Sequence, residues 1–260
     1  MDALKRGDRG VFRIDFATAD WRRNEYGVDV LTLSQDAVSG AVSFALRTPP
    51  GLVYPERQHF YDCDEELFQF EGEFHHDLLL PYRSGDYVFR PAGTVYGEIE
   101  GSDGGLIIAS FARESVRYHF DDHPQPWRGH YRVDKRWNPH RTDPFIVRSD
   151  ALGWRPAAFA PDVEVKPLRG NPGEPSPTDG PSEHSPWAAD AAFIMRVKTG
   201  SRDEFPQPGG AIFEALVLDG RAEIGGAQWH RGCYSFGGLR GPCRIDADLV
   251  LYVRSFQGRG

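Results

Sequence analysis

Four stretches of this chain recur once, in the same order and at nearly the same spacing, and that repetition limits the fold more than any single motif. AVSFALRTPPG (41–51) is answered by AAFIMRVKTG (191–200), each an apolar strand ending in a Gly turn. EELFQFEGEF (65–74) is answered by FEALVLDGRAEI (213–224): acid, apolar run, acid, Gly, second strand. RSGDYVFRPAG (83–93) lies beside HRGCYSFGGLRG (230–241), and GGLIIASF (104–111) beside DLVLYVRSF (248–256). The Gly landmarks keep pace: Gly51, Gly72 and Gly85 are 21 and 13 apart, Gly200, Gly220 and Gly232 are 20 and 12 apart. Strand–turn–strand patterns are common singly, but four in order are hard to obtain by chance. The chain therefore reads as two copies of one all-β unit.

Composition agrees. With 29 Gly and 20 Pro in 260 residues, chain-breakers are too frequent for a helical bundle and suit short strands joined by tight turns. An apolar share of 40% excludes a disordered chain. No apolar run approaches the roughly 20 residues of a membrane span, and the polar start MDALKRGDRG does not resemble a signal peptide. A net charge of −8 argues against nucleic acid as a partner. Cys63, Cys233 and Cys243 are too few for a disulfide framework, which points to a cytoplasmic protein. G-x-G-x-x-G, the Walker loop and the G-x-S-x-G elbow are all absent from the sequence.

The boundary between copies falls near residue 148, after the Asn138–Pro139 turn and HRTDPF (140–145). The domains are then 1–148, with an N-terminal extension and the candidate active site, and 149–260, with a degenerate one. Period-two alternation puts Phe68 and Phe70 on one face and Leu67 and Gln69 on the other, as in a small barrel or sandwich. A short helix is expected over 18–25, capped by Thr18 or Asp20. The segment 166–187, with six prolines, is expected to be a long exposed loop.

The first copy carries an ordered polar set. His59-x-Tyr61 is followed after three residues by Glu65 and after six more by Gly72. Gly85 is followed after five residues by Pro91-Ala92-Gly93 and after two more by Tyr96. This resembles the two cupin motifs, H-x-H, three or four residues, E, six residues, G, and then G, five residues, P-x-G, two residues, H. The EELFQFEGEF wording is similar to cupins of the ChrR type. Two copies would make a bicupin: all-β, with two tandem double-stranded β-helix barrels of jelly-roll (RmlC-like) form.

The resemblance implies a divalent metal in the barrel at His59, Tyr61, Glu65 and Tyr96. Here two imidazoles are replaced by phenols, which with a pKa of about 10 must lose a proton to ligate. The expectation is therefore no cofactor and acid–base catalysis. Glu65 would orient His59 as base, with Tyr61 and Tyr96 donating to a developing enolate or alkoxide. The reaction would be isomerisation, cyclisation or elimination of a small aromatic or polyketide-like compound. The alternatives are a dioxygenase using iron, manganese or nickel, or Fe(III), with His59 and Glu65 as ligands, and a non-catalytic ligand sensor. In the second copy the matching positions are Gln207, Gly209 and Phe213, with Cys243 near the last and Glu214 one place late, a set unable to hold a metal.

His75 and His76 are expected on the surface. His119, His123, His130 and His140, among Trp127, Arg128, Arg132, Lys135, Arg136 and Trp137, are expected in a mixed surface loop without zinc spacing. Cys63 lies between Asp62 and Asp64, whose charges make it a poor nucleophile. Phe44, Phe68, Phe70, Tyr87, Phe89 and Phe111 are expected in the core. A small-molecule substrate and a homodimer joined through sheet edges complete the expectations.

Overall fold

The computed structural model describes residues 12–36, 40–54, 58–76, 81–97, 99–101, 103–111, 116–120, 132–134, 136–137, 143–170, 191–207 and 211–257. Among them the regular structure is almost wholly strand; the helical element is one 3-10 turn, Ser149–Ala151. No helix among the described residues is long and apolar enough to cross a membrane. The chain forms two compact units. One takes in Asp20–Arg148, the other Ser149–Gly260 together with Asp8–Ala19.

Each unit is built on one large antiparallel sheet, and the strand orders match. In the first unit the order is Phe145–Arg148, Asp86–Arg90, Glu65–His76, Gly105–Phe111, Val42–Thr48, Asp29–Gln35, Arg22–Arg23. In the second it is Phe12–Asp15, Cys233–Phe236, Ala211–Ile224, Cys243–Gln257, Ala191–Val197, Ala160–Arg169, Arg155–Ala157. The four recurring stretches thus occupy corresponding places. The short strand ahead of each copy, however, completes the other sheet. Phe12–Asp15 pairs with Cys233–Phe236, and Phe145–Arg148 pairs with Asp86–Arg90. The N-terminal extension, expected with the first unit, is in its described part an edge strand of the second.

Alternation selects what each sheet buries. In the first unit Leu67, Val88, Ile107, Ala109 and Phe111 form an apolar cluster with Val42, Phe74 and Tyr82, and Phe44 and Leu46 pack on it. Phe68, Phe70, Tyr87 and Phe89, on the opposite face, are also buried. There the buried Glu66 carboxylate accepts a hydrogen bond from the Tyr87 hydroxyl at 2.6 Å. In the second unit Phe193, Met195, Phe213, Val217, Leu251 and Val253 lie in one larger apolar cluster. The buried Glu214 carboxylate accepts from Arg254 Nη1 at 3.0 Å. All three cysteines are buried, and none forms a disulfide.

Two local expectations are corrected. No helix forms over 18–25. The Asp15 carbonyl accepts from Thr18 N and its Oδ1 from Ala17 N, closing a turn. Arg22–Arg23 then pairs with Asp29–Val30, and Arg23 Nε donates to Asp29 at 2.8 Å. The Asn24 side chain accepts from the backbone of Tyr26 and Val28, so this stretch is a hairpin arm rather than a helix start. The second correction concerns Lys166–Arg169, which ends the Ala160–Arg169 strand and is not loop. Pro167 is tolerated there because the register shifts beside it, between Pro167 and Arg169. Residues 171–187 of that expected loop lie outside the described residues.

Gly72 and Gly220 show why the landmarks recur. Both have positive φ, 74° and 88°. A Cβ on Gly72 would run into the Gly104 carbonyl oxygen, and one on Gly220 into that of Asp248. Each Gly lies inside the long central strand and lets it pass closely against the neighbouring strand beside a register shift. Gly72→Ala and Gly220→Ala are each expected to cost about 2 kcal/mol or more, from backbone strain plus clash. Denaturant unfolding checks this; Gly27→Ala, at a position with open space around it, separates the strain from the clash.

Candidate functional site

The two motif segments of the first unit are clipped together through their backbones. His59 N donates to the Tyr96 carbonyl at 2.9 Å, and Tyr96 N donates back to the His59 carbonyl at 3.0 Å. Gly93 N donates to the Tyr61 carbonyl at 2.8 Å. The acids around Cys63 brace the same loops: Asp64 accepts from Ala92 N, and Asp62 from Arg117 N. Cys63 itself is packed in the apolar cluster.

These clips bring the four motif side chains together. The His59 ring lies 4.5 Å from the Tyr96 ring and 5.5 Å from the Tyr61 ring, both edge-on. Tyr61 also meets Phe111 at 5.0 Å. Glu65 belongs to the group, but its bonds differ from expectation. Its Oε2 accepts from the Tyr96 hydroxyl at 3.0 Å and from Arg90 Nη1 at 2.8 Å. Tyr96 thus stands between Glu65 and His59 and touches both.

Arg90 was not among the residues singled out from sequence. It sits directly opposite Glu65 in the strand register and is only 1% exposed. Its Nη2 donates to the Tyr82 hydroxyl at 3.0 Å, and its Cζ lies 4.0 Å from the centre of the Tyr96 ring. Alternation puts it on the face of Val88, a member of the apolar cluster. Burial disfavours the guanidinium charge, but the facing Tyr82, Glu65 and Tyr96 outweigh burial and hold its pKa above the ordinary value. The Tyr96 phenol is pushed well above its usual range, first by burial and then by the Glu65 and Tyr61 charges, with Arg90 opposing. It stays a proton donor.

Tyr118 is the second unforeseen member. The Tyr118–Phe120 strand pairs with His59–Tyr61. The Tyr118 ring stacks on His59 at 4.3 Å and 14°, and is 40% exposed over an imidazole that is 1% exposed. His119, expected in a surface loop, lies between Phe60 and Trp137, at 5.1 and 4.7 Å. The side chains of His75, His76 and Arg132 lie outside the described residues, as do residues 121–130, Lys135, His140 and Gly209.

The donor set does not fit a metal ion. A cation among these groups would face the Arg90 guanidinium, already bonded to Glu65. One of its phenol ligands, Tyr96, would have to give up a proton that its surroundings hold firmly. In the second unit the position of Glu65 is taken by Phe213, inside the apolar cluster.

Residues 9–114 match the family model of the ChrR cupin-like domain. A search of curated proteins found no match. Among solved structures, a Nostoc punctiforme protein provisionally named a dioxygenase aligns at TM-score 0.69 and 16% identity, over 96% of this chain and 84% of that one. The Bacillus subtilis oxalate decarboxylase, a protein with Mn(II) centres, aligns at TM-score 0.56 and 11% identity, over 94% and 75%. A Pseudomonas aeruginosa protein provisionally named glyoxylate-induced aligns at TM-score 0.60 and 10% identity, over 96% and 90%. At these identities the likeness is one of fold: the chain is all-β and of cupin architecture.

Two outcomes test the site. Glu65→Ala, which strands a buried guanidinium, is expected to destabilise by about 3–5 kcal/mol, and Glu65→Leu/Arg90→Met by clearly less. Denaturant unfolding compares them. For Tyr96 the folded pKa lies above the unfolded one, so its contribution is present below about pH 10 and is lost as pH rises toward the folded value. Stability should therefore fall in alkali, and Tyr96→Phe should remove up to one proton equivalent of that slope.

Proposed function

We propose that this chain is a bicupin enzyme of the cytoplasm, with a catalytic N-terminal cupin (1–148, apart from the strand Phe12–Asp15 that completes the second sheet) and a C-terminal cupin (149–260) whose site is degenerate. It performs acid–base chemistry, isomerisation, cyclisation or elimination, on a small aromatic or polyketide-like compound, without nucleic acid or membrane, as a homodimer. One contrast carries the reading. The second unit packs its interior with Phe213 and other apolar side chains, so the fold does not require polar ones there. The first keeps Glu65, Arg90, Tyr96 and His59 buried at the corresponding place. Buried polar groups cost stability unless partnered, and apolar filling would be simpler.

In this mechanism His59 removes a proton next to a substrate carbonyl, and the Tyr61 hydroxyl donates to the oxygen that gains charge. Tyr96, kept protonated, supports the imidazole through their ring contact and is fixed by Glu65 and Arg90. Tyr118 covers His59 and moves aside to admit substrate, leaving an aromatic wall of Tyr61 and Phe111.

Two other readings each have a supporting observation. Fold likeness to the Nostoc protein supports a metal-dependent dioxygenase. The match of residues 9–114 to the ChrR cupin-like domain supports a ligand sensor. Incubation in D2O with a panel of enolisable aromatic ketones, read by proton NMR, separates them. Our reading expects catalysed exchange of the proton next to the carbonyl, reduced by about 100-fold or more in His59→Gln. Unchanged exchange in that variant overturns the assignment. Stoichiometric iron, manganese or nickel lost on Glu65→Gln would install the dioxygenase instead, and saturable binding without exchange the sensor.

A further inference from the structure

The strand Phe12–Asp15 brings a carboxylate to a thiol and an imidazole of the second unit. Asp15 is the register partner of Cys233, and His230 ends the strand Ala227–His230, which precedes Cys233 by a short turn. His230 Nε2 lies 3.2 Å from Asp15 Oδ2, and His230 Nδ1 lies 3.5 Å from Cys233 Sγ. One ligand atom from each residue falls within 4.8 Å of the others. Asp15 is already oriented: its Oδ1 is taken by the Ala17 amide at 3.1 Å, which leaves Oδ2 facing the imidazole. Arg13 Nη2 donates to both Cys233 Sγ and Asp15 Oδ2, at 3.1 and 3.2 Å. A cation thus already sits against these groups.

We propose that Asp15, His230 and Cys233 form a zinc site that clasps the N-terminal strand to the second unit. Thiolate, imidazole and carboxylate together suit Zn(II), whose bonds of about 2.0–2.3 Å hold ligands some 3–4 Å apart. The His230 side chain is 44% exposed, so its ring turns freely enough to present one nitrogen. Cys233 has no exposed surface, so its thiol is shielded from bulky electrophiles. A bare ion entering past His230 and Asp15 reaches it. Binding releases the thiol proton to solvent and moves the Arg13 guanidinium outward; a water fills the fourth position. No electron is transferred. The site is independent of the catalytic reading of the first unit.

The test titrates chelator-treated full-length protein with Co(II) and then Zn(II). The expected result is one equivalent bound, with a near-ultraviolet thiolate-to-cobalt band and tetrahedral visible bands, all displaced by zinc. Cys233→Ser should lose the near-ultraviolet band. His230→Gln, a partly exposed change that spares the fold, should weaken binding by about tenfold or more, and Arg13→Gln should tighten it severalfold. Zinc should slow hydrogen exchange at the amides of Phe12–Asp15 in the wild type and not in His230→Gln. A missing thiolate band, or equal zinc affinity in the wild type and His230→Gln, overturns the proposal.

Discussion

The ion pair between Glu65 and Arg90 holds the first unit's interior to one arrangement. Each charge loses several kcal/mol of hydration on burial, and close opposite charges and hydrogen bonds are what make that tolerable. Arg90 has Glu65, the Tyr82 hydroxyl and the Tyr96 face; Glu65 has Arg90 and the Tyr96 hydroxyl. Because the two residues are register partners, a slip of one residue would send Arg90 to the face of Phe89 and leave both charges stranded. The pair therefore pins the register of adjacent strands. From there the constraint spreads: Tyr96 is fixed by Glu65, and His59 is fixed by its paired backbone bonds to Tyr96. The site's geometry follows from a charge pair that no substrate need touch.

The two units share a frame and differ in filling. Both run their strands in the same order and shift register beside a positive-φ Gly in the long central strand, which no other residue can replace without strain. Where one holds Glu65, the other holds Phe213. The frame thus depends on hydrogen-bond ladders and Gly geometry, and the interior positions are free to carry chemistry or apolar bulk.

Much of this was legible in the sequence. The frame showed itself because a positive-φ Gly pressed against a backbone leaves the same letter in both copies. His59, Tyr61, Glu65 and Tyr96 showed themselves by motif spacing. Arg90 did not, since an Arg before Pro91 reads as an ordinary strand end; the alternation Asp86, Val88, Arg90 was the signal that could have found it. Tyr118 reaches His59 through pairing across more than fifty residues, which no local pattern encodes. The helix expected at 18–25 failed because Asp15 and Asn24 bond the backbone in turns, and Arg23 finds Asp29 across a hairpin. The strand FRID names no partner at all, so its place in the second sheet was invisible.

That exchanged strand has a consequence for how the chain is made. Synthesis runs from N to C, so Phe12–Asp15 emerges about 220 residues before its partner, Cys233–Phe236. Throughout translation the early strand waits with its backbone bonds unmade. The sheet it completes can close only after Cys233–Phe236 has left the ribosome. A chain that stops short of Cys233 therefore keeps Phe12–Asp15 without its sheet partner, open to proteases and chaperones.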